Sequence, residues 1–239
     1  MTRHISDSND LPRWLRPALW GAIALSLGLI ILHIALYSPM LAMPDGWSFV
    51  LAPAVLLVVY AAIVLALPTV ARVTGGANAL QLGTWMGLLV AAVELVNISL
   101  ESLVAMPQTL TSLVTGILML TTFTLWGVTG FLGAYRSRSV GIGVLAAVWC
   151  SMVTMTFAVT FGYALLVVAW PRLTTFLATD PDFLRSHWSD LRAFIIANTL
   201  SNGAVHLVEA PIIALVIGGI GASVGRLVAQ GRAVRDAHR

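Results

Sequence analysis

The three glutamates of this chain, Glu94, Glu101 and Glu209, lie inside long apolar runs, whereas its seven aspartates lie in tails or connections. A carboxylate in an apolar helix is costly, and such groups are kept where they bind, relay a proton or pair. The run from Leu191 to Val228 carries Asn198, Asn202, His206 and Glu209 at spacings of four, four and three. At about 100° per residue these four fall within a sector of roughly 80°. Glu94, Asn97 and Glu101 form a second polar row, which continues the small residues Gly83, Gly87 and Ala91 along one helix face. His33 stands near the end of the first apolar run, one turn before Tyr37.

Carboxylates, amides and an imidazole brought together can exchange protons, hold a cation or orient a small polar solute. The same groups can also form a hydrogen-bond network that only fastens helices. A third reading gives Glu94, Glu101, His206 and Glu209 a metal, because His-x-x-Glu sets both side chains on one face. That spacing is short and unspecific, and no cofactor is indicated. Gly221-Ala222-Ser223-Val224-Gly225 has the spacing of a nucleophile elbow but ends an apolar helix instead of joining a strand to one. His206 lies about 26 Å from Ser223 by helix rise, too far to act as its base. Cys150, next to Trp149 in a largely apolar run, reads as a packing thiol. Thr111, Thr115, Thr122 and Thr129 form a hydroxyl seam, which threonines can satisfy on their own i−4 carbonyls. No residue is assigned a catalytic role, and an intramembrane metal-dependent enzyme stays as the least favoured of the three readings.

The elements that must position these residues follow from composition. Of the 239 residues, 59% are hydrophobic and 10% charged, and the mean hydropathy is +0.92. Soluble domains carry about a quarter charged residues, and a chain of this length cannot bury so much apolar surface in water. The fold class is therefore an all-α membrane protein, with the lipid bilayer as its first partner. The positive charge comes from 13 arginines without a lysine, scattered singly at segment ends. That distribution speaks for topology and against nucleic-acid binding.

Six transmembrane spans are expected near residues 18–37, 49–70, 80–105, 109–134, 140–170 and 191–228, between a polar N-terminal tail (1–17) and a basic C-terminal tail (229–239). Ten arginines flank the tails and the even-numbered connections, against Arg172, Arg185 and Arg192 on the other side. The positive-inside rule then puts both termini in the cytoplasm, in the cytoplasmic membrane of a bacterium. Pro53 is expected in the first turn of the second span, and Pro211 is expected to bend the sixth. Asp180-Pro181-Asp182 reads as the cap and first turn of an interfacial helix that carries Leu184, Trp188 and Leu191 into the last span.

By helix rise from the expected outer surface, Glu101 lies roughly 6 Å deep, Glu94 roughly 16 Å, Asn198 roughly 9 Å, Asn202 roughly 15 Å, His206 roughly 21 Å and His33 roughly 6 Å. If the third and sixth helices touch, Glu101 meets Asn198, and Glu94 meets Asn202 or His206. Glu94, Asn97, Glu101, Asn198, Asn202, His206, Glu209 and His33 are the expected substrate- or ion-binding residues. The sequence thus points to a small transporter, or a membrane subunit of a transport complex, for a proton, a cation or a small polar solute. The alternative is an accessory protein whose polar rows only pack helices. A membrane-protein partner or a second copy of the chain is compatible with both.

Overall fold

The computed structural model describes residues 14–43, 45–104, 106–178, 181–186 and 188–237. Among them every regular element is helical: α1 (Leu15–Leu36), a short 3-10 turn (Ser38–Ala42), α2 (Gly46–Thr74), α3 (Ala77–Leu103), α4 (Gln108–Ser137), α5 (Val140–Val168), α6 (Trp170–Leu177), α7 (Pro181–Ser186) and α8 (Leu191–Ala237). Six of these helices, α1 to α5 and α8, are long and apolar enough to cross a membrane. Large apolar side chains such as Ile31, Leu65, Leu120, Ile212 and Ile220 face outward, a surface that only lipid or protein can cover at acceptable cost. The chain is a multi-pass membrane protein built as a hydrophobic helical bundle.

The α5 helix is the axis. Of its apolar window 72% is buried, against 28–39% for the other five. The sequence permits this because α5 carries small residues where neighbours cross it. Gly83 and Gly87 of α3 meet the backbone of α5 at Ala146 and Cys150. A β-carbon on Gly130 of α4 would overlap the Gly218 carbonyl of α8, and one on Gly221 or Gly225 would overlap the backbone of α4 at Gly127 or Phe131. Gly143 of α5 closes the same junction against Gly130 and Ala222. Without a hydrophobic drive between helices in lipid, such close approach is what holds them. All these contacts lie toward the end of the bundle that carries the α4–α5 connection. Toward the α3–α4 end, Gly116 and Gly162 have nothing within 4 Å.

Several boundaries differ from the sequence expectation. The α2 helix starts at Gly46, so Pro53 falls in its second turn, not its first. The fifth span stops at Val168, because Trp170-Pro171 opens a new helix, α6, with proline near its first position. The helix expected from Pro181 is α7, which ends at Ser186 before α8 begins at Leu191, and a further short helix, α6, precedes it. Leu184 is in α7, Trp188 is in the linker and Leu191 starts α8. The cap expected at Asp180 lies outside the described residues. The cap on α8 is Asp190, whose Oδ1 accepts the Arg192 and Ala193 amides at 2.9 and 3.1 Å. The C-terminal tail is helical through Ala237, since Arg, Leu, Val, Ala and Gln all tolerate a helix. There Arg232 donates to the Tyr135 hydroxyl at 2.9 Å.

Pro211 leaves α8 unbroken. Proline has no N–H, so the carbonyl four residues earlier, on Leu207, loses its helical donor. The Tyr60 hydroxyl of α2 donates to that carbonyl at 2.7 Å, and so replaces the missing bond from a neighbouring helix. Tyr60→Phe is therefore expected to cost about 0.5–1.5 kcal/mol, seen as a lower unfolding midpoint in detergent. In a Pro211→Ala background the same change is expected to cost distinctly less, because the alanine amide then occupies the carbonyl.

Candidate functional site

Helices α3, α4, α5 and α8 separate toward the α3–α4 end and leave a cavity of about 390 Å³ between them. Its wall includes Glu94, Asn97 and Glu101 from α3, Thr115 and Thr122 from α4, Gly162 and Tyr163 from α5, and Asn202, His206 and Glu209 from α8. The floor is apolar and aromatic, with Phe123, Trp126, Met155 and Ile213.

The two polar rows thus share one space, but not by touching. The α3 helix packs on α4 and α5, and α8 packs on α4, α5 and α2, so α4 and α5 stand between the rows. The pairs expected from depth, Glu101 with Asn198 and Glu94 with Asn202 or His206, do not form. The glutamates are held by α4 instead. Thr122 donates to Glu94 Oε1 at 2.6 Å, and Thr115 donates to Glu101 Oε1 at 2.8 Å. The partners are seven residues apart on both helices, as two antiparallel helices in constant register require. The hydroxyl seam is therefore divided. Thr111 and Thr129 bond their own i−4 carbonyls, while Thr115 and Thr122 turn across to the carboxylates.

Each bond uses one carboxylate oxygen. The second oxygen of Glu94 and of Glu101 carries no hydrogen bond among the described residues. Two further polar atoms of the lining, Asn97 Oδ1 and Trp126 Nε1, are buried and also lack a partner there. Leaving a buried polar group unpaired costs about 1–3 kcal/mol. The contrast with Trp149, whose Nε1 donates to Thr84 at 3.0 Å, shows that this bundle can satisfy an indole where packing alone is at stake. No arginine lines the cavity.

Asn198 and His33 are outside this space. Asn198 is exposed and is not part of the cavity wall. His33 is buried on α1, and its Nε2 donates to the Tyr163 carbonyl of α5 at 3.1 Å. It fastens α1 to α5, as Ser26 and Thr160 do through their hydroxyls at 2.8 Å. Among the described residues no three His, Cys, Asp or Glu side chains gather closely enough to hold a metal. The set Glu94, Glu101, His206 and Glu209 is spread around the wall. Sequence reading missed Trp126 altogether. Its signal was its place one turn after Thr122 and three residues before Thr129, on the seam already marked.

A polar clamp fixes where α8 begins. The Tyr37 hydroxyl donates to the Asp190 carboxylate, and the Arg192 guanidinium lies over the rings of Tyr37 and Trp170 at 4.8 and 4.9 Å. Partial burial would raise the Asp190 pKa, but the hydrogen bonds from Tyr37 and the two amides, with the Arg192 charge, hold it below the usual carboxylate range. The hydrogen bond to Asp190, then burial, raises the Tyr37 phenol. A lowered folded pKa means that Asp190 stabilises the fold above the ordinary carboxylate value of about 4 and loses this as pH falls through its folded value. Asp190→Ala is expected to cost about 1 kcal/mol at neutral pH, and to make the unfolding midpoint less sensitive to acid. Asp190→Asn should keep most of the cap and still flatten the acid limb.

No family model matches the chain, and no curated protein or solved structure matches it.

Proposed function

We propose that this protein is a small transporter, or the membrane subunit of a transport complex, and that its cavity receives a proton, a cation or a small polar solute. The observation that carries this reading is the composition of the cavity wall. Three carboxylates, an imidazole and two amides share one space with no arginine to neutralise them. Glu94, Glu101, His206 and Glu209 would take up the proton or cation, and Asn97 and Asn202 would orient it. Asn198 and His33, outside the cavity, would act only on its surroundings.

The arginine distribution supports a topology with both termini in the cytoplasm, which opens the cavity toward the opposite face of a bacterial cytoplasmic membrane. Phosphatase and fluorescent-protein fusions at each terminus report that orientation directly.

A second reading has its own support. The Thr115–Glu101 and Thr122–Glu94 bonds fasten α3 to α4, which an accessory membrane protein would also need. The double variant Glu94→Gln, His206→Gln separates the two readings. Glutamine retains the acceptor that Thr122 uses, so the fold is expected to persist. Under the transport reading, proton or monovalent-cation flux into proteoliposomes should fall at least tenfold. Unchanged flux would leave the polar rows as fasteners.

A further inference from the structure

Resting on the reading of the cavity as a binding space, we propose a narrower ligand class: an organic amine with an apolar, preferably aromatic, body. A cavity of about 390 Å³ exceeds what a proton or a bare metal cation needs and is in the range that holds small organic molecules. Nor does such an ion explain the floor. Below the Glu94–Thr122 bond, Trp126 lies four residues further along α4, about 6 Å by helix rise, and Phe123 and Met155 complete an apolar seat.

The charge of the ligand follows from the wall. Its ionisable groups are Glu94, Glu101, Glu209, His206 and the Tyr163 phenol, and no arginine faces them from α3, α4, α5 or α8. An anion would meet three carboxylates against a single imidazole. A protonated amine would meet the free oxygen of Glu94 in a charge-assisted hydrogen bond. Its body would then lie against Phe123, whose ring face attracts cations and apolar groups alike, with Trp126 packed behind it. Trp126 is itself an independent sign of a ligand. It is only 2% exposed, and its Nε1 has no hydrogen-bond partner among the described residues. A hydroxyl or ether oxygen on the ligand would supply that acceptor after a small shift of the ring.

Tyramine carries a protonated amine, an aromatic ring and an oxygen acceptor. It can be compared with 4-ethylphenol, which lacks the charge, and with 4-hydroxyphenylacetate, which reverses it. Calorimetric titration of the full-length protein in nanodiscs is expected to show saturable binding of tyramine, and binding at least tenfold weaker for the two analogues. Glu94→Gln should weaken tyramine at least tenfold and leave 4-ethylphenol unchanged, and Trp126→Phe should weaken it by a smaller factor. Equal binding of tyramine and 4-ethylphenol, or tyramine binding indifferent to Glu94→Gln, overturns the proposal. Unaltered circular dichroism of the variants excludes a folding defect as the cause of any loss. Ion flux that depends on Glu94 without tyramine binding would remove this inference and keep the transport reading. Tyramine binding without any flux would do the reverse.

Discussion

Direct backbone approach between glycine-bearing helix faces is the constraint from which the rest of this structure follows. In lipid, apolar side chains gain nothing by leaving the bilayer for one another, so close packing of small residues must hold the helices together. Here those residues are concentrated toward one end, at Gly130, Gly143, Gly218, Gly221 and Gly225. Helices pinned closely at one end and carrying larger side chains at the other must diverge. The cavity among α3, α4, α5 and α8 is the space this divergence leaves. Its position is a consequence of where the glycines are, and the polar residues occupy the half that cannot close.

The rest of the bundle satisfies its polar groups economically. Tyr60 takes the carbonyl that Pro211 releases, Trp149 finds Thr84, and His33 finds the Tyr163 carbonyl. Threonines away from the cavity return to their own helices, and Thr154 and Thr160 reach a neighbouring helix as well. Around the cavity this pattern is broken. Carboxylate oxygens, an amide oxygen and an indole N–H remain without partners among the described residues. Unpaired groups gathered on one wall, in a protein that pairs its polar atoms elsewhere, set this region apart from the rest of the bundle.

Much of the helical architecture was legible in one dimension. Apolar runs of sufficient length define helices in any membrane protein, since every backbone group must be satisfied within the segment. The Gly83, Gly87 and Ala91 row correctly marked a face for close packing. Boundaries near Trp170 and Pro181 were less legible, because a proline can end one helix or begin another and only the neighbouring contacts decide which. The connection between α5 and α8 divided into two short helices for that reason. The seam on α4 was visible, yet its division between self-bonding and glutamate-bonding threonines was not, since both outcomes use the same residue type at the same spacing.

Alone, then, the sequence determined which residues share a helix face and how far apart they stand along it, because helical pitch and rise are properties of the backbone. From that came six apolar helices and two polar rows of matching depth. Only the tertiary structure decided how each face was turned toward its neighbours. The rows were expected to touch, but α4 and α5 came between them, with Thr115 and Thr122 supplying the direct partners and Trp126 the floor. Rotation of a helix about its own axis is set by the contacts of its small residues with other helices, and those contacts join positions too distant in the chain for any local pattern to relate.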